Sequence, residues 1–171
     1  DAGADRPRAA DDDDAIGGVP LGLVENREAQ SCGSSRSSLR MRSLMYLLSL
    51  ELFGRPLTLP EFPVDPAITG IGMSDWDGYA LPLARKLGYV NTYYHAEPRL
   101  DIAAVPPEML GRYRFLISSD VFEHIPHFAL DAAFRNSRGL LRDDGFFLFT
   151  VPFLKEGETR EYNLPNGGTM K

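Results

Sequence analysis

Residues 113–151, YRFLISSDVFEHIPHFALDAAFRNSRGLLRDDGFFLFTV, decide the fold. The run 113–118 is almost continuously apolar over a strand's length, the pattern of a strand buried on both faces. Residues 128–141 place Phe128, Leu130, Ala133, Phe134, Leu140 and Leu141 at helical spacing. Asp143, Asp144 and Gly145 read as a turn, and 146–151 (FFLFTV) is the most apolar strand of the chain. Two apolar strands joined by a helix-length crossover predict a parallel pair, because parallel strands need a connection of that size.

The same alternation continues upstream. Residues 67–71 form a short strand candidate running into Gly70-Ile71-Gly72. Residues 77–87 read as a helix carrying Tyr79, Ala80, Leu83, Ala84 and Leu87 on one face, with Pro82 in its first turns and Gly88 as its stop. Residues 89–95 are aromatic and β-branched, hence a strand. A brief extended piece is expected at 100–102 and a helical turn at 106–110. The fold class is therefore α/β, a mainly parallel sheet flanked by helices. In such open sheets ligands bind beyond the carboxyl ends of the strands. Four segments share that rim: 70–76, 95–101, 119–127 and 152–153.

Further out, residues 38–53 form a helix of about four turns, apolar over a broad face and ended by Gly54. It is either a lid over the site or a dimer contact. Residues 55–66 (RPLTLPEFPVDP) hold four prolines and read as an extended connector. Residues 1–30 carry eight acids and three arginines and read as an acidic, flexible tail. The domain reading is thus a tail (1–30), a helix and proline-rich connector (31–66), a core (67–153) and a polar end segment (154–171).

Composition excludes several classes. The 171 residues carry a formal charge of −6, and almost all of that excess lies in the tail, so no basic face for nucleic acid is present. The single cysteine, Cys32, excludes an internal disulfide framework and a multi-cysteine zinc cage. No apolar run approaches the roughly 20 residues that span a bilayer. The absence of an initiator Met and the abrupt end at Lys171 suggest a fragment or a processed boundary, and a reduced, cytoplasmic setting is expected.

On the rim, Gly70 and Gly72 let the backbone turn tightly and approach a ligand, whereas Ser74 holds the place of a third glycine and disfavours a pyrophosphate. His95, Glu97 and Asp101 offer acceptors for ribose hydroxyls and an adenine amine; read singly, Glu97 and Asp101 are solvated carboxylates pairing with Arg99. Asp120, Glu123, His124 and His127 crowd one strand end. His124 there is either a general base or a structural residue, and a metal site built from Glu123, His124 and His127 is disfavoured because no further ligand cluster completes a shell. Trp76 is the best candidate for an aromatic wall.

These residues resemble the class I S-adenosylmethionine-dependent methyltransferases. Residues 70–76 (GIGMSDW) stand at that family's glycine-rich first motif, and 101–106 (DIAAVP) resembles its D-x-x-x-L-P stretch, whose Asp meets the adenine. Residues 119–125 (SDVFEHI) resemble E-V-L-E-H-V, and 140–152 (LLRDDGFFLFTVP) resembles the L-L-K-P-G-G strand ending in V-P. The likeness covers about half the chain. It departs where Ile68 replaces an acid, where His95 replaces the acid closing the second strand, and in 154–171, too few and too polar for the family's last antiparallel strands.

The resemblance implies a Rossmann-like fold lacking those last strands. It implies methyl transfer from S-adenosylmethionine to a small-molecule acceptor, with His124 as base or substrate orienter. Gly70, Gly72, Ser74, Trp76, His95, Glu97, Asp101 and Asp120 would hold the cofactor. Two other readings stand beside it: a nicotinamide- or nucleotide-binding protein on a similar sheet, and a noncatalytic, truncated methyltransferase-like domain.

Overall fold

A computed structural model describes residues 15–16, 19–20, 33 and 36–152 of the chain. Cys32, Phe153, the end segment 154–171 and all of the acidic tail except two short strands lie outside these residues. Two compact units divide the chain, Asp1–Arg42 and Ser43–Lys171. In the first, Ala15–Ile16 pairs antiparallel with Val19–Pro20. Helix α1, Leu39–Phe53, begins in the first unit and runs into the second. Its start is capped where the Met41 amide donates to Ser38 Oγ at 3.4 Å, and Gly54 closes it with φ +67 and its amide on the Leu50 carbonyl.

The second unit is built on four parallel strands: β1 (Asp65–Met73), β2 (Leu87–Thr92), β3 (Tyr113–Ser119) and β4 (Leu141–Thr150), in spatial order β2-β1-β3-β4. Helix α2, Asp77–Lys86, connects β1 to β2, and α3, His127–Leu140, connects β3 to β4. The expected α/β parallel sheet is therefore present, and every strand pair in it is parallel. The first crossover steps from β1 to one side and β3 lies on the other, so the topological switch point falls between β1 and β3.

Strand parity sorts the core into two layers. Ile71 and Met73 of β1 pack with Leu116 of β3, with Leu100, Ile102 and Phe122 of the connecting loops, and with Ala133 and Leu140 of α3. Gly70 and Gly72 face the opposite layer, where Tyr89 stacks parallel to Phe115 with ring centroids 5.9 Å apart.

Several boundaries differ from the sequence expectation, each for a physical reason. Helix α2 passes directly into β2 at Leu87, so Gly88 is a strand residue and not a helix stop. The backbone of β1 explains the glycine: a Cβ there would collide with the Pro66 carbonyl. Strand β2 ends at Thr92, and beyond it Tyr93 forms a parallel bridge to Arg99, the Tyr93 amide donating to the Pro98 carbonyl and the Leu100 amide to the Tyr93 carbonyl at 2.9 Å each. The proline connector is not wholly extended. Leu59–Glu61 forms a 3-10 turn, with Glu61 Oε2 accepting from both the Thr58 amide and hydroxyl. Lys86 Nζ donates to the Pro60 and Phe62 carbonyls at 2.6 and 2.7 Å and ties that turn to α2. Finally, Asp143-Asp144-Gly145 does not end a strand but bulges within β4, the register slipping between the Tyr113 and Phe115 pairings.

Candidate active-site rim

The two strands flanking the switch point end alike. Ser74 follows β1 with φ +55 and Asp120 follows β3 with φ +56, both in the left-handed region that non-glycine residues rarely occupy. Strain of this kind persists where the surrounding structure enforces it. At Ser74 the enforcement is its own amide, which donates to the Thr92 carbonyl at 2.7 Å. At Asp120 it is the edge strand: the Asp120 amide donates to the Thr150 carbonyl at 3.1 Å and Thr150 Oγ1 donates to Asp120 Oδ1 at 3.0 Å.

The glycines act differently from their sequence reading. Both lie within β1. A Cβ on Gly70 would overlap the Phe115 ring, and one on Gly72 would overlap the Tyr89 hydroxyl and the Asp75 carboxylate. The close approach that requires glycine is made by the protein's own side chains, and the faces of Gly70 and Gly72 are covered. Trp76 likewise lies back on its own helix start, over Gly78 and edge-on to Tyr79 at 6.3 Å. It is half-buried.

The remaining candidates spread along the rim. His95 and Glu97 sit at the exposed tip of the loop after β2, His95 edge-on to Tyr94 at 4.6 Å and Glu97 Oε2 accepting from the Arg99 amide at 3.0 Å. Arg99 lies over the Tyr94 ring at 5.9 Å rather than pairing with Asp101. Asp101 is half-buried between Leu100 and Ile102, which anchor it against Met73 at the carboxyl end of β1. Its Oδ1 accepts from the Ala103 amide at 2.9 Å, and its second oxygen makes no hydrogen bond among the described residues. His124 is exposed on the 3-10 turn Phe122–His124, which buried Phe122 pins to the core. Among the described residues no three His, Cys, Asp or Glu side chains converge as a metal site, and no helix is long and apolar enough to cross a membrane.

One group on this rim is absent from the sequence reading: Asp75. It is 4% exposed and receives hydrogen bonds from Tyr79 Oη at 2.6 Å and from Tyr89 Oη. Burial pushes its pKa up to about 7, against the opposing effect of the two phenols. The same burial, reinforced by the Asp75 charge, holds the Tyr89 phenol far above its usual range. Asn91 clamps the backbone of Asp75 from both sides, accepting from its amide and donating to its carbonyl at 2.9 Å each. The i, i+4 spacing of Asp75 and Tyr79 on a helix start was the one available signal; the third partner, Tyr89, is brought in by the sheet.

No protein-family model and no curated protein matches the chain. Among solved structures, the trans-methyltransferase CalH in complex with SAH is 21% identical with a TM-score of 0.39, covering 49% of this chain and 32% of that one. The CMeT domain of the citrinin polyketide synthase is 16% identical with a TM-score of 0.48, covering 67% and 35%. A Rhodobacter sphaeroides protein assigned to the Zn-dependent alcohol dehydrogenases is 16% identical with a TM-score of 0.38, covering 60% and 50%. The chain thus spans between a third and a half of these structures. All three TM-scores lie below 0.5, and the fold assignment rests on the sheet itself.

Proposed function

We propose that this chain binds S-adenosylmethionine along the carboxyl rim of the sheet and passes its methyl group to a small-molecule acceptor. The observation that carries the reading is the pair of left-handed turns at Ser74 and Asp120, which bend the chain away from both sides of the switch point. The motif resemblance of 101–106, 119–125 and 140–152 supplies the chemical identity. Asp101 suits the cofactor, because a fixed carboxylate with one unused oxygen can accept from an adenine amine. Gly70 and Gly72 suit it less well, since their faces are filled. Ligand contacts then fall on exposed Ser74, half-buried Asp101 and Asp120 and the exposed 95–97 loop, and the glycines take a packing role.

The sulfonium group of the cofactor, when bound, supplies a methyl group ready for displacement. The chain's own part is to orient and to move a proton. His124, exposed at the rim, offers an imidazole that can take a proton from the acceptor's nucleophile. Cytoplasmic location and a homodimer through α1 belong to the same proposal. The covered glycine faces favour one rival, a noncatalytic domain of the same fold.

Thermal melts with S-adenosylhomocysteine and with NAD separate these readings: a shift with the first supports methyl transfer, a shift with NAD the nucleotide reading, and none the noncatalytic one. Given binding, Asp101→Ala is expected to weaken S-adenosylhomocysteine affinity roughly tenfold to a hundredfold by calorimetry. His124→Ala is expected to lower turnover about a hundredfold or more with little loss of affinity. Unchanged turnover removes His124 from the site.

A further inference from the structure

The turn between β1 and α2 is bound unusually tightly for a rim loop. Thr92 Oγ1 donates to the Gly72 carbonyl at 2.7 Å, the Ser74 amide to the Thr92 carbonyl, and Asn91 brackets Asp75 from both sides. All these bonds join neutral partners except one set, which centres on the Asp75 carboxyl. That carboxyl faces Tyr79 from α2 and Tyr89 from β2, with Tyr93 beyond them donating no charge and bonded to Asn91 Nδ2 at 3.1 Å. Among the described residues no Lys, Arg or His pairs with it. A carboxyl so placed has two phenol donors and no cation to offset loss of hydration, so its neutral form is favoured by burial and its ionised form is held only by the two tyrosines.

We propose that Asp75, Tyr79 and Tyr89 are a proton-operated clasp on the turn 72–76: the protonated carboxyl donates to one phenol oxygen while accepting from the other, and ionisation of a buried carboxyl with no cation beside it loosens the turn. The turn carries Ser74 outward and Trp76 at the start of α2, so the clasp governs how well the rim is preorganised. Resting on the S-adenosylmethionine reading, the clasp makes ligand affinity fall as pH rises through neutrality. The direction follows from the burial of Asp75. Its pKa in the folded chain, about 7, lies above its unfolded value. Its contribution to stability is therefore complete below about pH 4 and is lost as pH climbs to about 7.

The test compares the full chain with Asp75→Asn, which keeps the shape but cannot ionise, in urea melts and calorimetry with S-adenosylhomocysteine from pH 5 to pH 8. The wild-type folding constant is expected to fall about fiftyfold more than that of the variant between pH 5 and pH 7. Parallel profiles overturn the clasp. Ligand affinity is expected to decline with pH only in the wild type; the same decline in both overturns the link from clasp to site. No binding by either protein at any pH overturns the methyltransferase reading and leaves the clasp to be judged on the melts. Should Asp75→Asn fail to fold, the carboxyl 13C resonance of Asp75 decides in the wild-type chain and in Tyr89→Phe. A midpoint near 7, moving upward in Tyr89→Phe as a donor to the ionised form is lost, supports the proposal. A midpoint near 4 overturns it.

Discussion

The rim of the sheet has two ends built on opposite principles. At the carboxyl ends of β1 and β2 the groups are polar, largely buried and tied to the turn: Asp75 bonds with Tyr79, Tyr89 and Asn91, and Thr92 holds the neighbouring Gly72 and Ser74 backbone. At the carboxyl ends of β3 and β4 they are aromatic and partly open. Phe122 lies 4.7 Å from Phe134, 5.5 Å from Phe147 and 6.0 Å from Phe149, and both Phe134 and Phe149 are 46% exposed. A polar network needs fixed geometry to offset desolvation, whereas an aromatic cluster tolerates sliding. The first end should therefore hold position and the second should adapt. A cofactor site needs the former, and an acceptor site of variable shape is better served by the latter.

The aromatic end is broken most directly at its hub. Phe122→Ala removes a side chain that is 4% exposed and shared by three other rings, so a loss of about 3–5 kcal/mol is expected in a urea melt. A loss below about 1 kcal/mol would mean that the rings are a surface decoration and not part of the core. The polar end is strained most directly at Gly72. A methyl group there must displace the buried Tyr89 hydroxyl or Asp75 carboxylate, and overpacking of this kind costs about 1–3 kcal/mol. Gly72→Ala should also blunt the pH dependence that Asp75 confers. If it melts like wild type, the turn is softer than its hydrogen bonds imply.

Much of this architecture was legible in the sequence because periodicity reports burial, and burial sets the elements. The stretch 113–151 reads correctly as strand, helix and strand, since β3 is covered on both faces and α3 on one. Boundaries were less legible wherever a local turn signal competes with the sheet. Asp143-Asp144-Gly145 has turn chemistry, but among the described residues β4 is one of the two edge strands of the sheet, β2 being the other. The carboxylates of β4 face solvent there, Asp144 lying 3.5 Å from both Arg114 and Arg142. At the site, exposed polar residues such as His95, Glu97 and His124 could be placed on the rim from topology alone. What Gly70 and Gly72 make room for could not, because Phe115 and Tyr89 belong to other strands. Asp75 escaped for the same reason: its burial depends on a tyrosine 14 positions away.

The smallest effect sharpens the contrast at its outer limit. Phe128 opens α3 beside the aromatic hub, yet it is 76% exposed and makes no ring contact among the described residues. If the cluster stops at Phe134 and Phe149, Phe128→Ser exchanges one solvated side chain for another, and the unfolding free energy from a urea melt should change by less than about 0.5 kcal/mol. The helix start itself stays intact, because the Ala129 amide donates to the Pro126 carbonyl at 2.8 Å without help from residue 128. A loss above about 1 kcal/mol would place Phe128 inside the cluster, and the adaptable end of the rim would then be more firmly packed than the polar end that it is contrasted with.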